Sequence, residues 1–211
     1  MRNISWKQKI IAYYVKHLYN SFTFYELMNS DNNTFHATTI CCVKKDKMVA
    51  IAGDGQVTFG QAIVMKNNAK KLRKLSNGKV IAGFAGSATD GLTLISKLEA
   101  ALEKHEGKLL QACVDLAKDW RNDKFLHKLD AMMIVADSEN MFVVSGSGDI
   151  VEPEHNVVAI GSGGNFAYSA ALALLQTNSN LNASEIAKKS LEIAGQICVY
   201  TNLNISLEVI E

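Results

Sequence analysis

His36-Ala37-Thr38-Thr39 stands where a polar stretch meets an apolar run. A threonine hydroxyl is a weak nucleophile at its free pKa and needs a base. If the Ala37–Thr38 bond is cut, the new α-amine lies within reach of the Oγ of the same residue. With a pKa near ~8 such an amine can hold and return a proton at neutral pH. Taken alone the threonine pair is weak evidence, because β-branched residues favour strands for packing reasons. Other fragments carry compatible chemistry. Gly53-Asp54-Gly55 places a carboxylate in a turn, where Asp54 could orient a neighbouring cation, although Asp-Gly turns are common. Lys70-Lys71-Leu72-Arg73-Lys74 reads either as a solvated charge run or as the source of one lysine held near the nucleophile. That lysine would stabilise a deprotonated hydroxyl and keep a nearby amine neutral. Gly83-Phe84-Ala85-Gly86 follows strand residues and precedes a helix, so a glycine amide there can face a developing oxyanion. Gly161-Ser162-Gly163-Gly164 also joins a strand to a helix and by itself could be a phosphate turn. The chain has neither the lysine of a P-loop nor a complete GxGxxG with its acidic partner.

These fragments need elements to hold them. Thr39–Val43 and Met48–Ala52 are apolar runs flanking the charged tip Lys44-Lys45-Asp46-Lys47, which predicts a β-hairpin covered on both faces. Lys79–Ala85 predicts a third strand. Leu92, Ile95, Leu98 and Leu102, then Leu109, Cys113, Leu116 and Trp120, recur at helical spacing. Strands follow at Ala131–Ala136, Met141–Val144 and Val157–Ile160, then helices over about Gly164–Leu175 and Ala183–Tyr200. Asn182 with Glu185 predicts a capping box for the last helix. Ile205, Leu207 and Val209 alternate with polar residues in a closing strand. Paired helices between groups of strands do not fit a βαβ alternation; they fit two stacked sheets with helices on each outer face, an α+β chain.

At 211 residues, 48% hydrophobic and 20% charged, the composition is that of a globular domain. A net charge of +1 gives no nucleic-acid footprint, and no apolar run reaches the ~18 residues of a membrane span. The four cysteines, Cys41, Cys42, Cys113 and Cys198, lack CxxC spacing and read as small buried thiols. The first 37 residues differ from the rest. Met1 to Tyr25 lacks acidic residues, carries Arg2, Lys7, Lys9 and Lys16, and repeats Trp6, Ile10, Ile11, Tyr14, Val15 and Leu18 at helical spacing. Such a start resembles a mitochondrial transit peptide, and Asn29–Thr34 reads as a flexible connection. The other reading is a surface helix on a linker in a cytoplasmic protein. Both divide the chain into 1–37 and a folded domain over 38–211.

Taken in order, Thr38-Thr39-Ile40, Ile51–Gln56, Val64-Met65-Lys66, Val80–Gly86, Leu116–Arg121, Ala159–Gly164 and Ile193–Asn202 closely resemble the HslV family. These are the bacterial relatives of proteasome β subunits, within the N-terminal-nucleophile hydrolases. The resemblance covers residues 38 to 203 and implies a four-layer αββα sandwich with threonine-type endopeptidase activity. It implies Thr38 as nucleophile, Asp54 beside the active site, Lys71 as the catalytic lysine, Gly83 as the amide facing the oxyanion and Ser162 as support for the α-amine. It further implies a sodium ion held by oxygens of Gly195, Cys198 and Thr201; a hard cation would take main-chain carbonyls, so Cys198 would not bind through sulfur. Two stacked hexameric rings, an HslU-type ATPase partner and unfolded protein substrates are implied as well. ATP would be consumed by that partner, with no nucleotide on this chain. One residue is inserted between Gly60 and Met65, and 37 residues precede the threonine that starts the mature bacterial chains. Activation therefore requires removal of a prosegment. A non-catalytic ring subunit of the same fold is the competing expectation.

Overall fold

The computed structural model describes residues 35–36, 38–60, 63–122, 131–145, 147–177 and 179–211. The transit-like segment and its connection lie outside these. The folded body runs from Phe35 to Glu211.

Twelve strands and four α-helices are described in it. The predicted hairpin is β2 (Thr39–Lys45) and β3 (Met48–Gly53). With β11 (Val157–Gly161) and β12 (Ser206–Ile210) it forms a four-stranded antiparallel sheet, order β11-β2-β3-β12. A five-stranded antiparallel sheet joins β10 (Ile150–Val151), β9 (Met141–Val144), β8 (Ala131–Ala136), β7 (Val80–Gly86) and β6 (Leu72–Leu75), in that order. Helices α1 (Ala88–Lys104) and α2 (Leu109–Asn122) cover the five-stranded sheet. Helices α3 (Gly164–Gln176) and α4 (Ala183–Ile197) cover the four-stranded one. This is the expected αββα order.

Period-two alternation along β2 builds the layers. Ile40 and Cys42 pack between the sheets with Ile51, Leu72, Ile81 and Ile134. Cys41 and Val43 face the other way, among Ala167, Ala171, Ile186 and Leu191 of the helices. Both faces of β2 are buried, which is why its sequence is apolar without interruption. The capping box of α4 is formed: Glu185 N donates to Asn182 Oδ1 at 3.0 Å, and Asn182 N donates to Glu185 Oε2 at 2.8 Å.

Several expectations are revised. Leu92 is 48% exposed, and Leu94 takes its place beside Ile95, Leu98 and Leu102 on the buried face of α1. Ile197 ends α4, three residues before Tyr200, because Cys198 is extended (φ −92°, ψ 119°). The short strands β4 (Val57–Phe59), β5 (Ile63–Lys66) and β6 lie where no strand was predicted. β5 is wholly exposed and β6 is only four residues long, so neither carries a strong pattern. The folded body also begins earlier than residue 38, because β1 (Phe35–His36) pairs antiparallel with β4 in the register Phe35↔Phe59 and His36↔Thr58.

Gly91 of α1 lets the helix sit on β7: a Cβ there would lie 2.0 Å from Phe84 Cδ2. Alanine would gain about 1 kcal/mol in helix propensity but must displace a packed aromatic ring. We expect the clash to win, so that Gly91→Ala lowers the unfolding free energy by about 1–3 kcal/mol in urea titration. A stabilised variant would contradict this packing.

Candidate active site

β2 begins immediately after Thr38, a buried residue. Its φ is +115°, a value costly for a β-branched residue. The Thr38 carbonyl accepts the N–H of Ser162 at 3.0 Å. Gly161 makes this approach possible: its φ is +88°, and a Cβ there would fall 1.9 Å from Thr38 O. The loop between β11 and α3 is thus built to cradle the start of β2. Ser162 meets Thr38 through its main chain, and its residue is exposed.

Asp54, at the end of β3, is fully buried and accepts four donors. Thr39 N (2.8 Å) and Lys71 Nζ (3.0 Å) reach Oδ1. Gln56 N (2.9 Å) and Asn202 N (3.2 Å) reach Oδ2. Lys71, at the entry to β6, is 3% exposed and also donates to the Gln56 carbonyl at 2.6 Å. Burial pushes the Lys71 ammonium below the usual lysine range, and the Asp54 carboxylate opposes that shift. Of the two adjacent lysines, Lys71 points inward while Lys70 is exposed. The cluster that read as a solvated run therefore has one buried member.

Gly83 lies in the middle of β7, opposite Leu72 of β6 and Ile134 of β8. Phe84 N, next to it, donates to Lys71 O at 3.3 Å. The missing side chain of Gly83 also serves packing: a Cβ would lie 2.9 Å from Ile40 Cγ2 and from Ile51 Cδ1.

Residues without an assigned role in the sequence complete the site. Gln56 is buried and uses its side chain as well, donating from Nε2 to Thr58 Oγ1 at 3.0 Å and to Val199 O at 2.8 Å. Thr39 turns toward the helices, where its Oγ1 meets Thr201 Oγ1 at 2.6 Å and accepts Gly163 N at 2.9 Å. Both lie inside the motifs quoted above, yet their bonds reach partners far along the chain, so local spacing gave no signal. Gly195, Cys198 and Thr201 come together at the C-terminal end of α4. Thr201 N donates to Cys198 O at 3.1 Å, and a Cβ on Gly195 would meet Leu203 Cδ2 at 2.9 Å and Asn202 O at 3.5 Å. The chain folds back on the helix end there. Among the described residues no cluster of three His, Cys, Asp or Glu side chains could hold a metal.

A family model described as "Proteasome subunit" matches residues 34–210. The chain is 61% identical over 173 residues to the ATP-dependent protease subunit HslV of Caldicellulosiruptor saccharolyticus, covering 82% of this chain and 98% of that one. It is 55% identical over 177 residues to the protein of the same name from Neorickettsia sennetsu, covering 84% and 94%. The crystal structure of a eukaryotic HslV from Trypanosoma brucei superposes with a TM-score of 0.78 at 42% identity, covering 82% and 99%.

The buried ion pair is asymmetric. Removing the carboxylate strands a buried ammonium and the amides of Thr39 and Gln56. Removing the ammonium leaves a carboxylate that keeps three amide donors. Asp54→Ala should therefore cost about 3–5 kcal/mol of folding stability and Lys71→Met clearly less. Chemical denaturation of both variants checks this; an equal or reversed order would refute it.

Proposed function

The chain belongs to the proteasome-subunit family and, within it, to the HslV peptidase subunits of ATP-dependent proteases; on that premise we propose that Thr38, freed at its amino group, is its nucleophile. The protein is a threonine protease that works in ring assemblies with an HslU ATPase. The observation that supports the residue-level reading is the buried Asp54–Lys71 ion pair, whose carboxylate also holds the amide of Thr39, the residue after Thr38.

In this mechanism Thr38 Oγ attacks the substrate carbonyl carbon while its own α-amine takes the hydroxyl proton. The carbonyl π electrons move onto oxygen, and the oxyanion is met by a backbone amide. We assign that amide to Gly83, as the family resemblance implies; it lies on β7 beside Phe84, whose own amide meets the Lys71 carbonyl. Collapse forms an ester and expels the amine product, which receives the proton from the α-ammonium. Water, deprotonated by the same amine, then hydrolyses the ester. The Lys71 cation disfavours protonation of the nearby amine, and Asp54 holds Lys71 in place. Ser162 supports the α-amine from the loop that already grips the Thr38 carbonyl.

As written the chain is a precursor, since the Thr38 nitrogen is in a peptide bond to Ala37. Residues 1–37 are proposed to be a removable prosegment with a mitochondrial address, on the strength of their basic, acid-free amphipathic pattern. Two stacked hexameric rings acting on unfolded proteins are the proposed assembly and substrate class. A sodium ion is proposed at the end of α4. Main-chain oxygens suit a hard cation, the three residues lie at the C-terminal, negative end of α4 and just after it, and the lack of a side chain at Gly195 keeps the fold-back open. Bound there, the ion would supply structural charge to these carbonyls.

Active material should begin at Thr38 by intact mass. Thr38→Ala should lose peptidase activity by at least about a thousandfold and escape labelling by a covalent threonine-directed inhibitor. Retained turnover in that variant would sink the assignment and favour the non-catalytic subunit.

A further inference from the structure

The segment after α4 enters the active site through one residue that the mechanism does not use. Asn202 N donates to Asp54 Oδ2 at 3.2 Å. Its side-chain Oδ1 accepts the amide of Gly55 at 3.1 Å and that of Asn204 at 3.1 Å. Its Nδ2 donates to the carbonyl of Asn67 at 2.9 Å, with Asn67 Oδ1 at 3.4 Å. Gly55 follows Asp54 directly, and Asn67 opens the loop that delivers Lys71. These two segments already touch: Ala69 N donates to Gly55 O at 2.9 Å, and a Cβ on Gly55 would lie 2.3 Å from Asn67 O. One primary amide therefore grips the segment carrying the carboxylate and the segment carrying the ammonium, and its own backbone grips the carboxylate. Next to it, the Thr201 hydroxyl is bound to Thr39, the residue after the nucleophile.

We propose that Asn202 is a positioning residue for peptide hydrolysis, a clamp that fixes Asp54 against Lys71 and through them the Thr38 end of β2. The proposal rests on the reading of Thr38, Asp54 and Lys71 given above. The amide group itself is required, because the side chain must accept from Gly55 and donate to Asn67 at once. Aspartate is the same shape, but ionised it is acceptor-only, and it brings a second carboxylate beside Asp54. Alanine removes every side-chain bond, including those to Gly55, Asn67 and Asn204, and keeps the main-chain one. Asn204 is the internal control: its Nδ2 also donates to Asn67 O, at 2.8 Å, but no bond joins its side chain to Gly55 or Asp54.

The test uses the processed enzyme assembled with its ATPase. Active sites are titrated with a covalent threonine-directed inhibitor, and kcat per titrated site and KM are measured for a fluorogenic peptide. We expect Asn202→Ala and Asn202→Asp each to lower kcat per titrated site about tenfold or more with KM within about twofold, and Asn204→Ala to stay within about twofold in both. A purely structural role would reduce the number of titratable sites and leave kcat per site at the wild-type value; that result overturns the proposal. So does an Asn204→Ala loss as large as that of Asn202→Ala. If Asn202→Ala fails to assemble, Asn202→Asp, which preserves shape and the Gly55 bond, decides alone on the same criterion. Activity surviving in Thr38→Ala would instead bring down the underlying reading, so the two failures are distinguishable.

Discussion

The fold around the candidate site is organised by a carboxylate and an ammonium removed from water together. Asp54 is fully buried and Lys71 nearly so, at 3.0 Å. Taking such charges out of solvent costs several kcal/mol per ion, and a bare pair in a low-dielectric interior rarely recovers it. Recovery here comes from completeness. Four donors surround Asp54, and Lys71 has a second oxygen in Gln56. Each partner lies on a different segment: the start of β2, the turn after β3, the entry to β6 and the loop after α4. Satisfying one carboxylate therefore fixes four pieces of chain at once. The same interaction raises the charged fraction of Lys71 against burial. A structural constraint and an electrostatic one are met by the same atoms.

The layered architecture supplies the frame. Along β2, Ile40 lies on the inter-sheet side, and Thr39 lies with Cys41 on the helix side, where its hydroxyl meets Thr201 and the Gly163 amide. A one-residue slip of β2 would exchange these faces and put apolar side chains against the polar end of α3. Burial of Ile40, Cys41, Cys42 and Val43, all at 0% exposure, makes that slip prohibitive. The hydrophobic core thus fixes Thr39 with its amide on Asp54 and its hydroxyl toward the start of α3.

Much of this was legible before any coordinates. The apolar hairpin, the paired helices and the Asn182–Glu185 cap are local patterns, and the local physics holds in the fold. Asp54 and Lys71, both inside the ordered motifs or the basic run beside them, form a buried ion pair. What escaped was non-local. Asn202 and Gln56 earn their places through bonds to residues more than a hundred positions away, which no spacing rule contains. Residue type alone does not separate Lys71 from Lys70; the resemblance points to Lys71, and that residue is the buried one at the entry to β6.

Latency follows from the same geometry. Thr38 is held at a φ that a β-branched residue adopts only under constraint, of order 1–3 kcal/mol, while the residues before it pair with β4. That φ is defined by the preceding carbonyl carbon and ceases to be a constraint when the bond to Ala37 is broken. The strand pairing of Phe35 and His36 holds the junction in place until then, since it ties the upstream side to a hairpin of the same folded body. Before the cut the Thr38 nitrogen is an amide and cannot accept a proton; a cut at Ala37 would make it an amine that can. Under the proposed mechanism one hydrolysis therefore removes strain, vacates the edge of β4 and creates the base. Asp54 and Lys71 stand already assembled in the precursor, so the proposed activation calls for no rearrangement of the ion pair.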